Sequence, residues 1–209
     1  MERVKYPRTY HLPYSKGYTS DDKVLTSDNQ FQTMDVVVTE KMDGENTTIY
    51  KDFYHARSLD SSHRDYHSWL LGYMKGFQYT IPEGYRICGE YLYARHSIAY
   101  MYLPSYFMVF SIWNDENNCL SWDDTELFCK ERNLITVPVL YRGIYKTDII
   151  KQIAEDVVRR GSEGIVVRNS AAFTYDCFFV NVAKYVREHH VQTDKHWSNG
   201  LIEKNKLDH

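Results

Sequence analysis

Asp35-Val36-Val37-Val38-Thr39-Glu40-Lys41-Met42-Asp43-Gly44-Glu45-Asn46-Thr47-Thr48-Ile49-Tyr50 is the stretch on which the reading of this chain turns. Its first seven residues are rich in β-branched side chains, which suit a pleated, half-buried surface better than a helix. Asp43-Gly44 is a turn signal and Thr47 to Tyr50 resumes strand character, so the segment predicts a β-hairpin. By itself, a lysine before a turn reads as a solvated cation. At the end of a Val-rich strand, Lys41 is also a candidate nucleophile once its amine is partly desolvated. A free lysine titrates near about 10.4, so attack near neutrality asks for a shift of about three units, about 4 kcal/mol, from burial and a neighbouring cation. The rest of the chain must then supply that cation, carboxylates for a metal and a flat surface for a base.

Outward from this stretch, the chain reads as strands with helices between them. Residues 64–78 carry Trp69, Leu70, Tyr73, Met74 and Phe77 at helical spacing, weakened by Gly72 and Gly76. Arg86 to Tyr93 and Tyr106 to Trp113 predict strands. Asp123 to Arg132 and Asp148 to Arg160 predict helices, the second with Ile149, Ile150, Ile153 and Val157 on one stripe and Gly161 as its stop. Glu163 to Arg168 and Phe178 to Val186 predict the closing strands. With no linker, repeat or low-complexity tract, the expectation is one α+β domain over residues 1–209.

Composition narrows the classes. The 209 residues are 43% hydrophobic and 25% charged, which excludes disordered and fibrous readings. No apolar run reaches the roughly 18 residues of a membrane span, and the charged opening lacks a signal-peptide core, so a cytoplasmic protein is expected. Cys88, Cys119, Cys129 and Cys177 form no C-x-x-C pair, which argues for reduced, buried thiols. A net charge of −3 does not advertise a nucleic-acid binder, although a local groove can still be basic. The 19 tyrosines suit strands and surfaces that touch flat groups. There is no P-loop, dinucleotide fingerprint, H-E-x-x-H, G-x-S-x-G or EF-hand loop. His63 and His67, four apart, and the group His189, His190 and His196 have no further ligands at metal spacing and read as solvated.

Six short elements then fall in order: Lys41-Met-Asp-Gly; Arg57; Gly89-Glu90; Phe107-Met-Val-Phe110-Ser-Ile; Glu163-Gly164-Ile-Val-Val; Ala183-Lys184-Tyr-Val. Together they resemble the covalent nucleotidyltransferase superfamily of ATP-dependent DNA ligases, RNA ligases and mRNA-capping guanylyltransferases. Glu40 to Asn46, as Glu-Lys-x-x-Gly-x-Asn, is similar to the phage and bacterial double-strand-type RNA ligases, as are Tyr6-Pro-Arg-Thr and His11-Leu-Pro, whose role the resemblance leaves open. The resemblance implies a ligase adenylation fold: α+β, two packed antiparallel sheets with flanking helices, and the nucleotide in the groove between them. It implies an ATP-dependent RNA ligase that uses Mg²⁺ or Mn²⁺ and joins RNA ends through AMP held on Lys41. Lys184 matches the lysine that contacts the α-phosphate, and Phe110 the aromatic stacked on adenine, with Phe107 on the opposite face. Arg57 and Glu90 match residues near the nucleotide, ribose and metal, and Glu163 a glutamate that helps hold the metal. Glu40 and Asn46 match positions near the adenine and near the metal or sealing step.

Taken singly, Phe110 reads as core, Gly89-Glu90 as a bulge, Arg57 as a loop cation in competition with Arg64, and Lys184 as a snorkelling surface residue. Two features depart from the family pattern. The last motif reads Lys184-Tyr185-Val186-Arg187, without a second lysine one residue on, and alternation turns Arg187 away. No OB-fold or other C-terminal domain is evident, so a minimal ligase, a missing domain or a protein partner is expected. The tail holding His189, His190, Lys195, His196 and Lys204 is basic enough to meet a phosphate backbone. The other readings are a DNA ligase or capping-type enzyme, AMP transfer to a protein or small molecule, and an end-binding module that has lost the chemistry.

Overall fold

The computed structural model describes residues 3–60, 64–188 and 202–208. Its strands in chain order are β1 Tyr10–His11, β2 Asp35–Lys41, β3 Glu45–Ile49, β4 Tyr54–Ala56, β5 Arg86–Tyr91, β6 Phe107–Trp113, β7 Asn118–Cys119, β8 Ile135–Thr136, β9 Val139–Ile144, β10 Gly164–Asn169, β11 Phe173–Thr174 and β12 Val182–Val186. The helices are α1 Ser68–Met74, α2 Trp122–Glu131, α3 Thr147–Arg159 and α4 Phe178–Asn181. This is the expected α+β class with two sheets. The chain divides into two compact units, one of residues 1–6, 43–136 and 195–209, the other of residues 7–42 and 137–194.

In the second unit the sheet order is β1-β12-β10-β2-β9. Pairing is antiparallel except that β1 runs parallel to β12. Strand alternation divides its faces. Val36, Val38, Ile165, Val167, Ala183 and Tyr185 form one core with Ile150, Ala154 and Val157 of α3. Burying each Ile or Val there contributes about 1.5–3 kcal/mol. Gly161, at φ +97°, takes the left-handed conformation that stops α3, as its sequence predicts. The other face carries Val37, Thr39 and Lys41 of β2 beside Val166 and Gly164 of β10, then Lys184 and Val186 of β12.

The first unit is built on a sheet of order β7-β6-β5-β3-β4, with β8 parallel to β6. Ile87, Phe107, Ile112, Trp113 and Trp122 are fully buried in it. Ser121 caps α2 by accepting a hydrogen bond from the Asp124 N–H at 3.1 Å. Helix α1 stops at Met74, two residues before Gly76.

Four expectations are corrected. β2 and β3 are not a hairpin: β2 pairs with β10 and β9, whereas β3 pairs with β4 and β5. The turn between them spends its polar groups on residues distant in sequence. Asp43 Oδ2 accepts from the Ser97 N–H, the Ser97 hydroxyl and the Ile98 N–H at 2.7–2.9 Å, while the Gly44 N–H donates to Glu90 Oε1 at 3.0 Å. The closing strand starts at Val182, because Phe178–Asn181 forms helix α4. Cys177 is exposed, although the other three thiols are buried. His67 is not solvated: it is 3% exposed, receives the Arg64 N–H on Nδ1 and so donates from Nε2 to Glu45 at 2.8 Å. His63, His189, His190, Lys195 and His196 lie outside the described residues.

Candidate functional site

Lys41 is the last residue of β2, opposite Gly164, and Gly164 is in turn opposite Val186. Two residues back in register, Thr39, Val166 and Lys184 form the next row. Lys41 and Lys184 therefore project from the same sheet face, two strands apart, a separation of roughly 10 Å between strand axes that two long side chains can close. Gly164 sits where a side chain has no room: a Cβ would lie 1.9 Å from the Tyr185 carbonyl oxygen. The glycine thus lets β10 and β12 approach and leaves the space beside Lys41 open.

Immediately before Gly164, Glu163 is buried at 4% exposure, and its Oε2 lies 2.7 Å from Lys41 Nζ. Burial pushes the Lys184 amine below the usual lysine range, the charge of Lys41 pushes it further, and Asp22 and Glu163 oppose both. Two amines and a buried carboxylate thus gather here, the neighbouring cation and one of the carboxylates that the nucleophile reading asked for. Glu40 lies on the opposite face, where its Oε1 accepts from the Ser162 hydroxyl at 2.5 Å. Position 186 is a valine at 1% exposure, and the Arg187 N–H donates to the Glu163 carbonyl at 2.9 Å.

In the first unit, Asn46 of β3 faces Glu90 of β5, and Arg57 follows Ala56, which faces Thr47. Arg57, Asn46 and Glu90 therefore gather at one end of three adjacent strands. Arg57 is exposed, and Asn46 Oδ1 is buried without a hydrogen-bond partner. Such an orphaned acceptor asks for a donor or a cation. Phe110 sits at a β-bulge: Gly89 faces Val109 and Cys88 faces Ser111, so the register between β5 and β6 skips Phe110. The bulge re-aims it, so that Phe110 is half-buried with Tyr6 edge-on at 5.1 Å, whereas Phe107 is fully buried.

Sequence reasoning missed the part played by four residues. Asp43 fixes the loop at Ser97 and Ile98, as described above. Asp22 and His11 reach Lys184 because β1 lies against β12, with His11 opposite Lys184. Asn205 anchors the segment 202–208, donating to the Leu92 and Ala94 carbonyls and accepting the Tyr100 N–H. In the same segment Lys204 lies 4.9 Å from the Tyr93 ring centroid, so this member of the basic tail rests on aromatic rings. Among the described residues no three His, Cys, Asp or Glu side chains form a metal cluster, and no helix is long and apolar enough to cross a membrane.

The sequence profile of the RNA ligase family matches residues 34–186, which take in β2, Glu163 and Lys184. The chain belongs to the RNA ligase family. Solved structures with its fold include an archaeal ATP-dependent RNA ligase, at TM-score 0.62 and 17% identity, with 90% of this chain aligned to 49% of that one. A candidate ATP-dependent DNA ligase from Aquifex aeolicus aligns at TM-score 0.57 and 22% identity over 90% of this chain and 50% of that one. A mutant RNA ligase from Naegleria gruberi, solved with ATP and Mn, aligns at TM-score 0.54 and 14% identity over 92% of this chain and 63% of that one. This RNA ligase family chain thus spans about half the length of the first two. No curated protein matches it.

Proposed function

We propose that this chain is the adenylation part of an ATP-dependent RNA ligase, with its two units forming one nucleotidyltransferase domain. The observation that carries the reading is the convergence of Lys41, Lys184 and buried Glu163 on one face of one sheet, within the span that matches the RNA ligase family. Support for the single domain is that the match runs unbroken through residues of both units.

In this reading Lys41 Nζ attacks the α-phosphorus of ATP. The Lys41 ammonium first gives one proton to Glu163 Oε2. As the neutral amine attacks, an N–P bond forms, the bond to pyrophosphate breaks, and the second amine proton leaves with pyrophosphate. Glu163 first orients the amine and holds it charged, so the pair must loosen before attack. Lys184 places its ammonium against the α-phosphate charge that develops. Phe110 stacks on the adenine, with Arg57 and Glu90 toward the phosphates and ribose. Glu40 braces the loop at Ser162 that carries Glu163. AMP then passes to an RNA 5′-phosphate, which frees Lys41, and an RNA 3′-OH displaces AMP to form the phosphodiester. Glu163 in the second unit, and Glu90 with the orphaned Asn46 Oδ1 in the first, are each hard oxygen donors of the kind that suits Mg²⁺ or Mn²⁺, which would supply charge neutralisation. A cytoplasmic location accompanies this reading, since buried free thiols persist in a reducing compartment.

One observation favours a second reading, an RNA end-binding module without chemistry: the second lysine of the last motif is replaced by buried Val186. Incubation with ATP, Mg²⁺ and 5′-phosphorylated RNA, nicked duplex beside single strand, separates the two. Sealing, abolished by Lys41→Ala, supports the ligase. Thermal stabilisation by ATP with neither sealing nor a covalent adduct supports the module.

A further inference from the structure

The opening segment has no place in the chemistry so far, yet it is built against Lys184. β1 lies parallel to β12 with His11 opposite Lys184, and the His11 carbonyl and N–H bind the Leu25 N–H and the Lys23 carbonyl. This closes the chain between them into a loop that returns Asp22 to Lys184. Asp22 Oδ1 lies 3.6 Å from Lys184 Nζ and 3.5 Å from His11 Nε2. Its other oxygen is fixed by the Thr19 N–H at 3.0 Å and the Thr19 hydroxyl at 3.1 Å. His11 is 1% exposed and held on its far side by Ser15 Oγ at 2.8 Å. We propose that Asp22 is a positioning residue for lysine adenylylation: it holds the Lys184 side chain, as ammonium, in place for the α-phosphate.

The groups facing Lys184 are Lys41 from β2, Glu163 from the turn before β10, and Asp22 with His11 from the opening segment. Burial and Lys41 drive the amine toward its neutral form, in which it is a poor partner for phosphate. Asp22 opposes both. Where the family pattern supplies two lysines, this chain has one, and it ties that one down from outside the strand. The inference rests on the adenylation reading, but its test has an arm that does not.

That arm is acylation of Lys184 by N-hydroxysuccinimidyl acetate in the intact protein, followed by peptide mass spectrometry from pH 7 to 10 with exposed Lys75 as reference. Asp22→Asn should raise the Lys184 rate several-fold at pH 8, and Asp22→Glu should restore most of the protection. The second arm is single-turnover adenylylation with ATP and Mg²⁺. Asp22→Asn should slow it about tenfold with KM for ATP within about twofold, and move its alkaline limb to lower pH. Unchanged Lys184 labelling in a folded Asp22→Asn protein overturns the proposal, and so does wild-type adenylylation by that variant across the pH range. If the wild-type protein takes up no AMP, the ligase reading fails while the labelling arm still decides the role of Asp22.

Discussion

Changing Lys41 to methionine, Glu163 to glutamine, and both together isolates the pair at the centre of the site. At 2.7 Å and an effective dielectric of about 20, the raw attraction is about 6 kcal/mol. Desolvating the Glu163 carboxylate, whose side chain is 6% exposed, takes back several kcal/mol, and Lys41, at 24%, keeps contact with water. A coupling energy of about 1–3 kcal/mol remains. The single changes should be unequal. Lys41→Met strands a buried carboxylate and should cost about 2–4 kcal/mol, whereas Glu163→Gln leaves a lysine that can reach solvent and should cost about 1 kcal/mol. Urea unfolding at pH 7, compared at constant m-value, reads all four proteins. The double variant should be more stable than the sum of the single losses predicts. Additive losses, or a larger loss for Glu163→Gln than for Lys41→Met, would refute the reasoning.

Phe107→Ala should cost about 3–5 kcal/mol of stability, whereas Phe110→Ala should leave the melting temperature nearly unchanged and weaken ATP binding, checked by calorimetry beside thermal melts. Asn205→Ala orphans the Leu92 carbonyl and the Tyr100 N–H and should cost about 2–3 kcal/mol, with faster proteolysis between residues 95 and 102. Burial pushes the Cys88 thiol up to about 11 and the Cys129 thiol up to about 12, so at pH 8 a thiol reagent should label Cys177 fast and the other three only on unfolding.

Local signals were read well wherever neighbours in sequence are the structure. β2 occupies the expected residues because Val36 to Thr39 are buried on both faces, and α3 ends at the glycine placed to end it. The hairpin failed for a non-local reason. Asp43 and Gly44 look like any tight turn, but their bonding partners lie 46 to 57 residues away, and nothing in the turn records that. The six ordered elements marked Lys41, Glu163 and Lys184, which do converge. The bulge that turns Phe110 out of its strand register depends on pairing with Gly89, which alternation within β6 cannot express. Asp22 was missed because it reaches Lys184 only through the parallel pairing of β1, which precedes the matched region, with β12 at the end of that region. The solvated reading of His67 failed because its partner, Glu45, lies 22 residues away in β3.

The central claim is that Lys41 is a nucleophile that carries AMP. Intact-protein mass spectrometry tests it most directly, after stripping with pyrophosphate and then incubation with ATP and Mg²⁺ or Mn²⁺, beside GTP and Lys41→Ala. The account predicts a gain of one AMP with ATP, mapped by peptide sequencing to Lys41 and absent in the variant. No adduct on the stripped protein, or an adduct that persists in Lys41→Ala, would contradict it.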